Sequence, residues 1–238
     1  AIQWVQETRD QFDAILTTDV LAAPVGRASH MPWHADLHEY DLGKRGSLAW
    51  RISTRPLLRW SAPLLTKADS TSTVAPGIAS QYLENFSIAP FVVNNAPYTR
   101  TEYEPTPTNK PKRLVYMGVA SPERSLEMPI HAAIETNVVP GDAAYIEELR
   151  ALAATPDSGV TIQEPVQYEE IVPTLRNYDV SLAFFPPVTI NLKHALPNKF
   201  FEAVQARIGV ITGPSPEMGP YIHEYGFGTT TTDWTQEA

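Results

Sequence analysis

Apolar positions along the chain follow two rhythms in turn. Some form short continuous or alternating runs, and others recur every three or four residues over longer stretches. The short runs predict strands at Asp13–Thr18, Pro32–Asp36, Asp69–Thr73 and Phe91–Asn94. The opening residues already have the spacing of an amphipathic helix. A loop, Leu37–Tyr40, follows the second strand. Helical spacing covers Ser47–Lys67, where Pro56 and Pro63 mark bends or breaks, and Gly77–Phe86, which Pro76 opens. The alternation restarts with a strand at Arg113–Met117 ending at Gly118. Further strands are expected at Val160–Gln163, Asp179–Phe185, Gly209–Thr212 and Phe227–Thr232. Helices are expected near Arg124–Glu135 and over Asp142–Ala154, Tyr168–Asn177, Asn198–Arg207 and Pro216–Tyr225. Asp179–Phe185 is almost wholly apolar, as a strand covered on both faces should be. Between the helices around Arg124 and Asp142 only Val138 and Val139 remain for a strand, so that strand is very short or residues are missing there.

Strands alternating with helices imply parallel sheets with right-handed crossovers. The pattern is interrupted once, at Thr101–Lys112, which carries three prolines and almost no apolar side chain. This is the composition of a linker. The expected organisation is therefore an N-terminal domain over 1–104, a linker over 105–112 and a C-terminal domain over 113–238. Both would be Rossmann-like α/β domains, facing each other across a cleft, with ligand at the carboxyl ends of the strands. The chain starts inside a helical pattern without a methionine and stops as another helix begins, so it is expected to be part of a longer protein.

Composition narrows the chemistry. The absence of cysteine excludes disulfide scaffolds, thiolate zinc sites and cysteine nucleophiles. A formal charge of −9 disfavours a dedicated nucleic-acid binder. No window approaches the ~18 apolar residues of a membrane-crossing helix, and the first residues lack the features of a signal peptide. The expected location is the cytoplasm. Arg51, Arg55 and Arg59 at helical spacing form one basic face, of a kind usually solvated.

The strongest chemical signal is LPNKFFEAVQA at 196–206. It follows an apolar strand and opens a helix, whose free N–H groups and positive dipole end suit a phosphate. Glu202 falls one turn in, where a carboxylate can accept two hydrogen bonds from a ribose diol. The bland alternative is a surface glutamate beside two core phenylalanines, Phe200 and Phe201.

This segment resembles the donor-binding motif of the GT-B glycosyltransferases of the family 4 type, in which PNK precedes an apolar pair, Glu and Ala, and then a strand. Other segments resemble the family in the same order: DLHEY at 36–40, ADSTSTVAPGIASQYLENF at 68–86, FVVNNAP at 91–97, RLVYMGVASPERSLEMPIHA at 113–132, YDVSLAFFPP at 178–187 and GPSPEMGPYIHEYGFG at 213–228. The resemblance implies a metal-independent, retaining transfer of a sugar from a nucleotide-sugar donor to a hydroxyl acceptor on a glycan, glycolipid or small molecule. It implies no cofactor, and it makes the basic face of Arg51, Arg55 and Arg59 a peripheral contact with anionic membrane at the inner face. It makes Glu202 the ribose ligand and Arg124 the basic contact to the diphosphate. Gly118 would let backbone approach the phosphates, Asn198 and Lys199 would line the phosphate end, and His38 would lie near the reacting sugar. His194 stands where the family often has a first glutamate, eight positions before Glu202. Val119 follows Gly118, so of the usual basic pair on the diphosphate only Arg124 remains. These departures leave open a nucleotide-sugar 2-epimerase on the same architecture, or a non-catalytic sugar-nucleotide-binding module.

A second cluster is His30, His34, Asp36, His38 and Glu39. Side-chain alternation in an extended segment puts His34, Asp36 and His38 on one face, where they could form a metal triad. No second ligand cluster accompanies them, so the site is read as holding no metal. There is no Gly-x-Ser-x-Gly and no Asp-x-Asp, which disfavours an α/β-hydrolase and a metal-dependent GT-A transferase.

Overall fold

The computed structural model describes residues 1–44, 46–105, 107, 113–119, 121–126, 135–139, 142–155 and 158–234. The chain forms two compact units, residues 1–94 with 189–194, and residues 95–188 with 195–238. Most of the proline-rich stretch 105–112 lies outside the described residues.

The first unit runs α1 (Ile2–Thr8), β1 (Ile15–Thr18), α2 (Ala23–Ser29), β2 (Trp33–Leu37), α3 (Leu48–Ser61), β3 (Ser70–Thr73), α4 (Pro76–Phe86) and β4 (Phe91–Val92). Its four strands pair in chain order, all parallel. Strand β2 alternates strictly. Trp33, Ala35 and Leu37 are buried, while His34 and Asp36 face the other way and are half-buried. The Trp33 indole donates from Nε1 to Thr17 Oγ1 at 2.7 Å, and its ring fills the space that Gly26 of α2 leaves without a side chain. Ser47 caps α3 by accepting from the Trp50 N–H. Pro56 lies inside α3 without ending it. The break comes at Ser61, where Pro63 enters a 3-10 turn over Ala62–Lys67. Helix α2 has no counterpart in the sequence expectation, because Pro24 and Gly26 obscure its apolar period.

The second unit runs β5 (Leu114–Val119), β6 (Glu135–Val139), α5 (Ala143–Ala153), β7 (Ile162–Gln163), α6 (Ile171–Leu175), β8 (Val180–Leu182), α7 (Ile190–Lys193, which belongs with the first unit), α8 (Asn198–Ala206), β9 (Gly209–Thr212), α9 (Met218–Tyr225) and β10 (Gly228–Thr230). The sheet order is β10-β9-β8-β5-β6-β7, all parallel. Counted from β5, this is the doubly wound order 3-2-1-4-5-6, whose switch point lies between its first and fourth strands. Its core gathers Tyr116, Leu126, Tyr145, Leu149, Leu182 and Phe184, with Trp234 edge-on to Phe184 at 5.0 Å.

Three expectations need correction. Strand β6 has five residues, not two, and begins at Glu135, which was expected to be helical. Arg124 ends a 3-10 turn, Pro122–Arg124, instead of opening an α-helix; residues 127–134 of that expected helix lie outside the described residues. The apolar run from Asp179 pairs only over Val180–Leu182. Asp179 is buried and accepts the Arg113 N–H at 2.8 Å, while Ala183, Phe184 and Phe185 stay buried beyond the ladder.

Gly26→Ala should cost about 1–3 kcal/mol, since the new methyl enters the Trp33 ring. Urea unfolding would show it, and Trp33→Leu in the same chain should recover part of the loss.

Candidate functional site

The switch point of the second sheet lies between β5 and β8, and the residues past their carboxyl ends carry its chemistry. Gly118 is the penultimate residue of β5, with φ at +149°, and a Cβ there would run into the Lys199 ammonium. Lys199, in the first turn of α8, reaches into that space. Its Nζ lies 4.0 Å from the centroid of the Tyr116 ring and 5.0 Å from that of Phe185. Arg124 stacks its guanidinium over the same Phe185 ring at 4.4 Å. Two cations thus share one aromatic ring, an arrangement the ring favours and their mutual repulsion opposes.

Arg124 Nη1 is buried and has no hydrogen-bond partner among the described residues. A buried donor left open, especially a charged one, is costly and calls for an explanation such as an absent anion. Among the described residues Lys199 has no carboxylate within ion-pair distance. Burial holds its ammonium well below the usual lysine range, Arg124 pushes it further down, and Glu202 opposes both. Glu202 sits one turn further along α8 and is 6% exposed. Burial raises its carboxyl above the usual range, against the pull of Lys199. The first turn of α8 has no acidic side chain to occupy its dipole end.

Gly118, Arg124, Lys199 and Glu202 therefore come together in the second unit. Asn198 opens α8 and is exposed. His194 caps the end of α7 and belongs with the first unit. Phe185, the ring under both cations, and Tyr116, the ring under Lys199, carry no distinct signal in the sequence beyond Tyr116 standing two residues before Gly118.

His38 lies in the first unit, just past the carboxyl end of β2. Its Nε2 meets Asp36 Oδ2 at 2.7 Å, and Ser72 donates to Asp36 Oδ1 at 2.7 Å. With its one hydrogen committed there, Ser72 must accept from His34 Nε2, 3.0 Å away. His34 Nδ1 then accepts from Ser70 Oγ at 2.7 Å. The three residues expected on one face are on one face, joined to each other and to two serines. Among the described residues no three His, Cys, Asp or Glu side chains converge to hold a metal. An ionised Asp36 makes His38 the donor through Nε2 and leaves Nδ1 as its acceptor. The loop is pinned on either side. Thr73 donates to the Leu37 carbonyl at 2.6 Å, and the buried Tyr82 hydroxyl to the Glu39 carbonyl at 2.8 Å. Asp19, just past β1, has φ 63° and ψ 166°, a region almost reserved for glycine. Burial, then neighbouring Asp41, raises its carboxyl above the usual range.

No family model matches the chain, and no curated protein does. Solved structures do. A crystal structure of Anabaena HepE in complex with UDP matches 99% of this chain and 68% of its own, with a TM-score of 0.73 at 15% identity. WaaG, a glycosyltransferase involved in lipopolysaccharide biosynthesis, matches 99% and 69%, with a TM-score of 0.64 at 14% identity. S. aureus TarM, in complex with fondaparinux, alpha-GlcNAc-glycerol and UDP, matches 89% and 44%, with a TM-score of 0.61 at 9% identity. The chain has the two-sheet α/β fold of the GT-B glycosyltransferases.

The lowered pKa of Lys199 fixes the sign of a pH effect. Between that value and the ~10.4 of an exposed lysine, the unfolded chain holds more protons than the folded one, so stability rises with pH through that window. Lys199→Met should be more stable than the parent at pH 7, and the difference should shrink as pH climbs towards 10. Denaturant unfolding across that range would measure both.

Proposed function

We propose that the chain is the main part of a glycosyltransferase that moves a sugar from a nucleoside-diphosphate donor to a hydroxyl acceptor, without a metal and with retention of anomeric configuration. The observation that carries this is the pair of neighbouring cations, Arg124 with its buried Nη1 unpartnered among the described residues and Lys199, one helical turn from Glu202. A diphosphate accepts at two oxygens from a planar guanidinium and takes charge from the ammonium and the α8 N-terminus. Both cations gain most when the diphosphate departs with its full negative charge, which is transition-state stabilisation without a metal. Glu202 accepts from the ribose hydroxyls, and Gly118 keeps the Lys199 channel open. Asn198 and His194 complete the donor contacts. His38, oriented by Asp36, offers Nδ1 to the acceptor hydroxyl. WaaG, named for lipopolysaccharide biosynthesis, and the UDP complexes of HepE and TarM support a role in cell-surface polysaccharide or glycolipid assembly.

Among the described residues no helix is long and apolar enough to cross a membrane. We extend the proposal to peripheral contact with anionic lipid through α3. Leu48, Ile52, Leu57 and Trp60 are 54–69% exposed on that helix, beside Arg51, Arg55 and Arg59, with no acidic residue from Ser47 to Ala68.

The donor test is calorimetric titration with UDP, GDP and ADP, with and without EDTA. One diphosphate should bind tightly whether or not EDTA is present, and Glu202→Ala should weaken it. Arg124→Ala should lower turnover by about two to three orders of magnitude, read as glycosylated acceptor formed. No binding of any diphosphate would sink the donor site, and binding without product in the full-length protein would leave a non-catalytic binding module. For the membrane contact, cosedimentation with phosphatidylglycerol vesicles should be lost in high salt and on replacing Arg51, Arg55 and Arg59 by Gln.

A further inference from the structure

Strand β3 reads Ser70-Thr71-Ser72-Thr73, a run of hydroxyls, and its register with β2 decides what they face. Ser70 stands opposite His34 and Ser72 opposite Asp36, so alternation puts these four side chains on one face of the sheet. His34 reaches both serines, Nδ1 to Ser70 Oγ at 2.7 Å and Nε2 to Ser72 Oγ at 3.0 Å. Ser72 continues the chain to Asp36 Oδ1, and Asp36 Oδ2 continues it to His38 Nε2, each at 2.7 Å. Ser72 is buried, His34 and Asp36 are half-buried, and only His38, at the end of the chain, is exposed.

We infer that Ser72 and His34 are positioning residues for His38, holding the Asp36 carboxylate in the orientation that aims the His38 ring; the inference rests on the role proposed above for His38. A carboxylate bound at one oxygen can still swing. The Ser72 bond to Oδ1 fixes its plane and leaves Oδ2 for His38. A serine hydroxyl rotates, however, and Ser72 has two acceptors within reach. Were it to donate to His34, its oxygen would face Asp36 Oδ1 at 2.7 Å with no hydrogen between them. Donation in the other sense satisfies every member: Ser70 gives to His34 Nδ1, His34 Nε2 gives to Ser72, and Ser72 gives to Asp36. One direction is therefore selected along the whole chain. It ends at His38, whose Nε2–H meets Oδ2 and whose Nδ1 stays an acceptor.

Asp36 is the one hydrogen-bonding partner of His38 among the described residues. Of the other charged groups near that loop, Lys44 holds Glu39 at 2.9 Å and Asp41 at 2.6 Å, and Asp19 lies past β1. In the proposed transfer the acceptor hydroxyl gives its proton to Nδ1, its oxygen bonds to the sugar carbon, and the diphosphate leaves with the electron pair. The imidazolium then faces the Asp36 carboxylate across Nε2–H. Ser72 and His34 touch no reacting atom and act through Asp36 alone.

The test compares the whole chain with Ser72→Ala, Ser72→Thr, His34→Phe and His34→Gln. Ring-nitrogen NMR of labelled histidines, at a pH where the imidazoles are neutral, should show His38 of the parent in the Nε2–H form alone. Ser72→Ala and His34→Phe should let it drift to the tautomer mixture of an unrestrained imidazole. Ser72→Thr keeps the hydroxyl and His34→Gln keeps one donor and one acceptor, so both should stay like the parent. Hydrolysis of UDP-, GDP- and ADP-glucose, with water as acceptor, gives the second readout. For the sugar the parent turns over, Ser72→Ala and His34→Phe should lower kcat about tenfold and leave KM within about twofold, since a misaimed base loses part of its contribution while the donor site is untouched. Parent-like spectra and kcat in both variants overturn the inference and leave the donor site standing. Equal losses in Ser72→Ala and Ser72→Thr, or a rise in KM as large as the fall in kcat, also overturn it, because the effect is then one of packing or of donor binding. Failure of the parent to hydrolyse any of the three sugars overturns the glycosyltransferase reading on which the inference rests.

Discussion

Parallel pairing is the constraint from which the rest of the molecule follows. Every strand in a parallel sheet ends at the same edge, its ladder is completed by the strands beside it, and the crossover helices lie on the sheet's faces. The interior of each sheet is therefore closed to chemistry. Polar side chains with work to do must collect where the strands stop, on the loops and helix starts beyond. That is where they are found. His38 follows β2, Asp19 follows β1, Gly118 and Arg124 lie at and beyond the end of β5, and Phe185 lies beyond β8. The buried faces are filled by Trp33, Leu37, Tyr116 and Leu182, which choose nothing except the position of those ends.

The fold could be anticipated because its signals are periodic. Alternation and three-or-four spacing persist over whole elements, so the order of strands and helices could be followed through most of the chain. Where the structure differs, the cause is local. Strand β6 was underestimated because Glu135, Thr136 and Asn137 carry no apolar run, yet all five residues pair with β5. Helix α2 has no local signal because Pro24 and Gly26 break its apolar period, while the packing of Gly26 on the Trp33 ring is a tertiary contact that no local pattern contains. Pro56 was weighed as a breaker, but α3 continues through it to Ser61.

The candidate site was legible only at its ends. Glu202 and Lys199 stand out because they fall at fixed places on a helix start. Tyr116 and Phe185 do not, since an aromatic residue in a strand looks the same whether it fills a core or carries a cation.

The two units treat polar groups in opposite ways, and the contrast separates positioning from binding. In the first unit the His34, Ser70, Ser72, Asp36 and His38 side chains form one connected set, in which each donor meets an acceptor. A satisfied network of this kind fixes geometry and, with both imidazoles neutral, leaves none of its donors open. In the second unit Arg124 and Lys199 are pressed onto aromatic rings, with a buried nitrogen open and a repulsive neighbour. Such an arrangement costs stability, and on the donor-site reading proposed above an anion bound there would offset that cost.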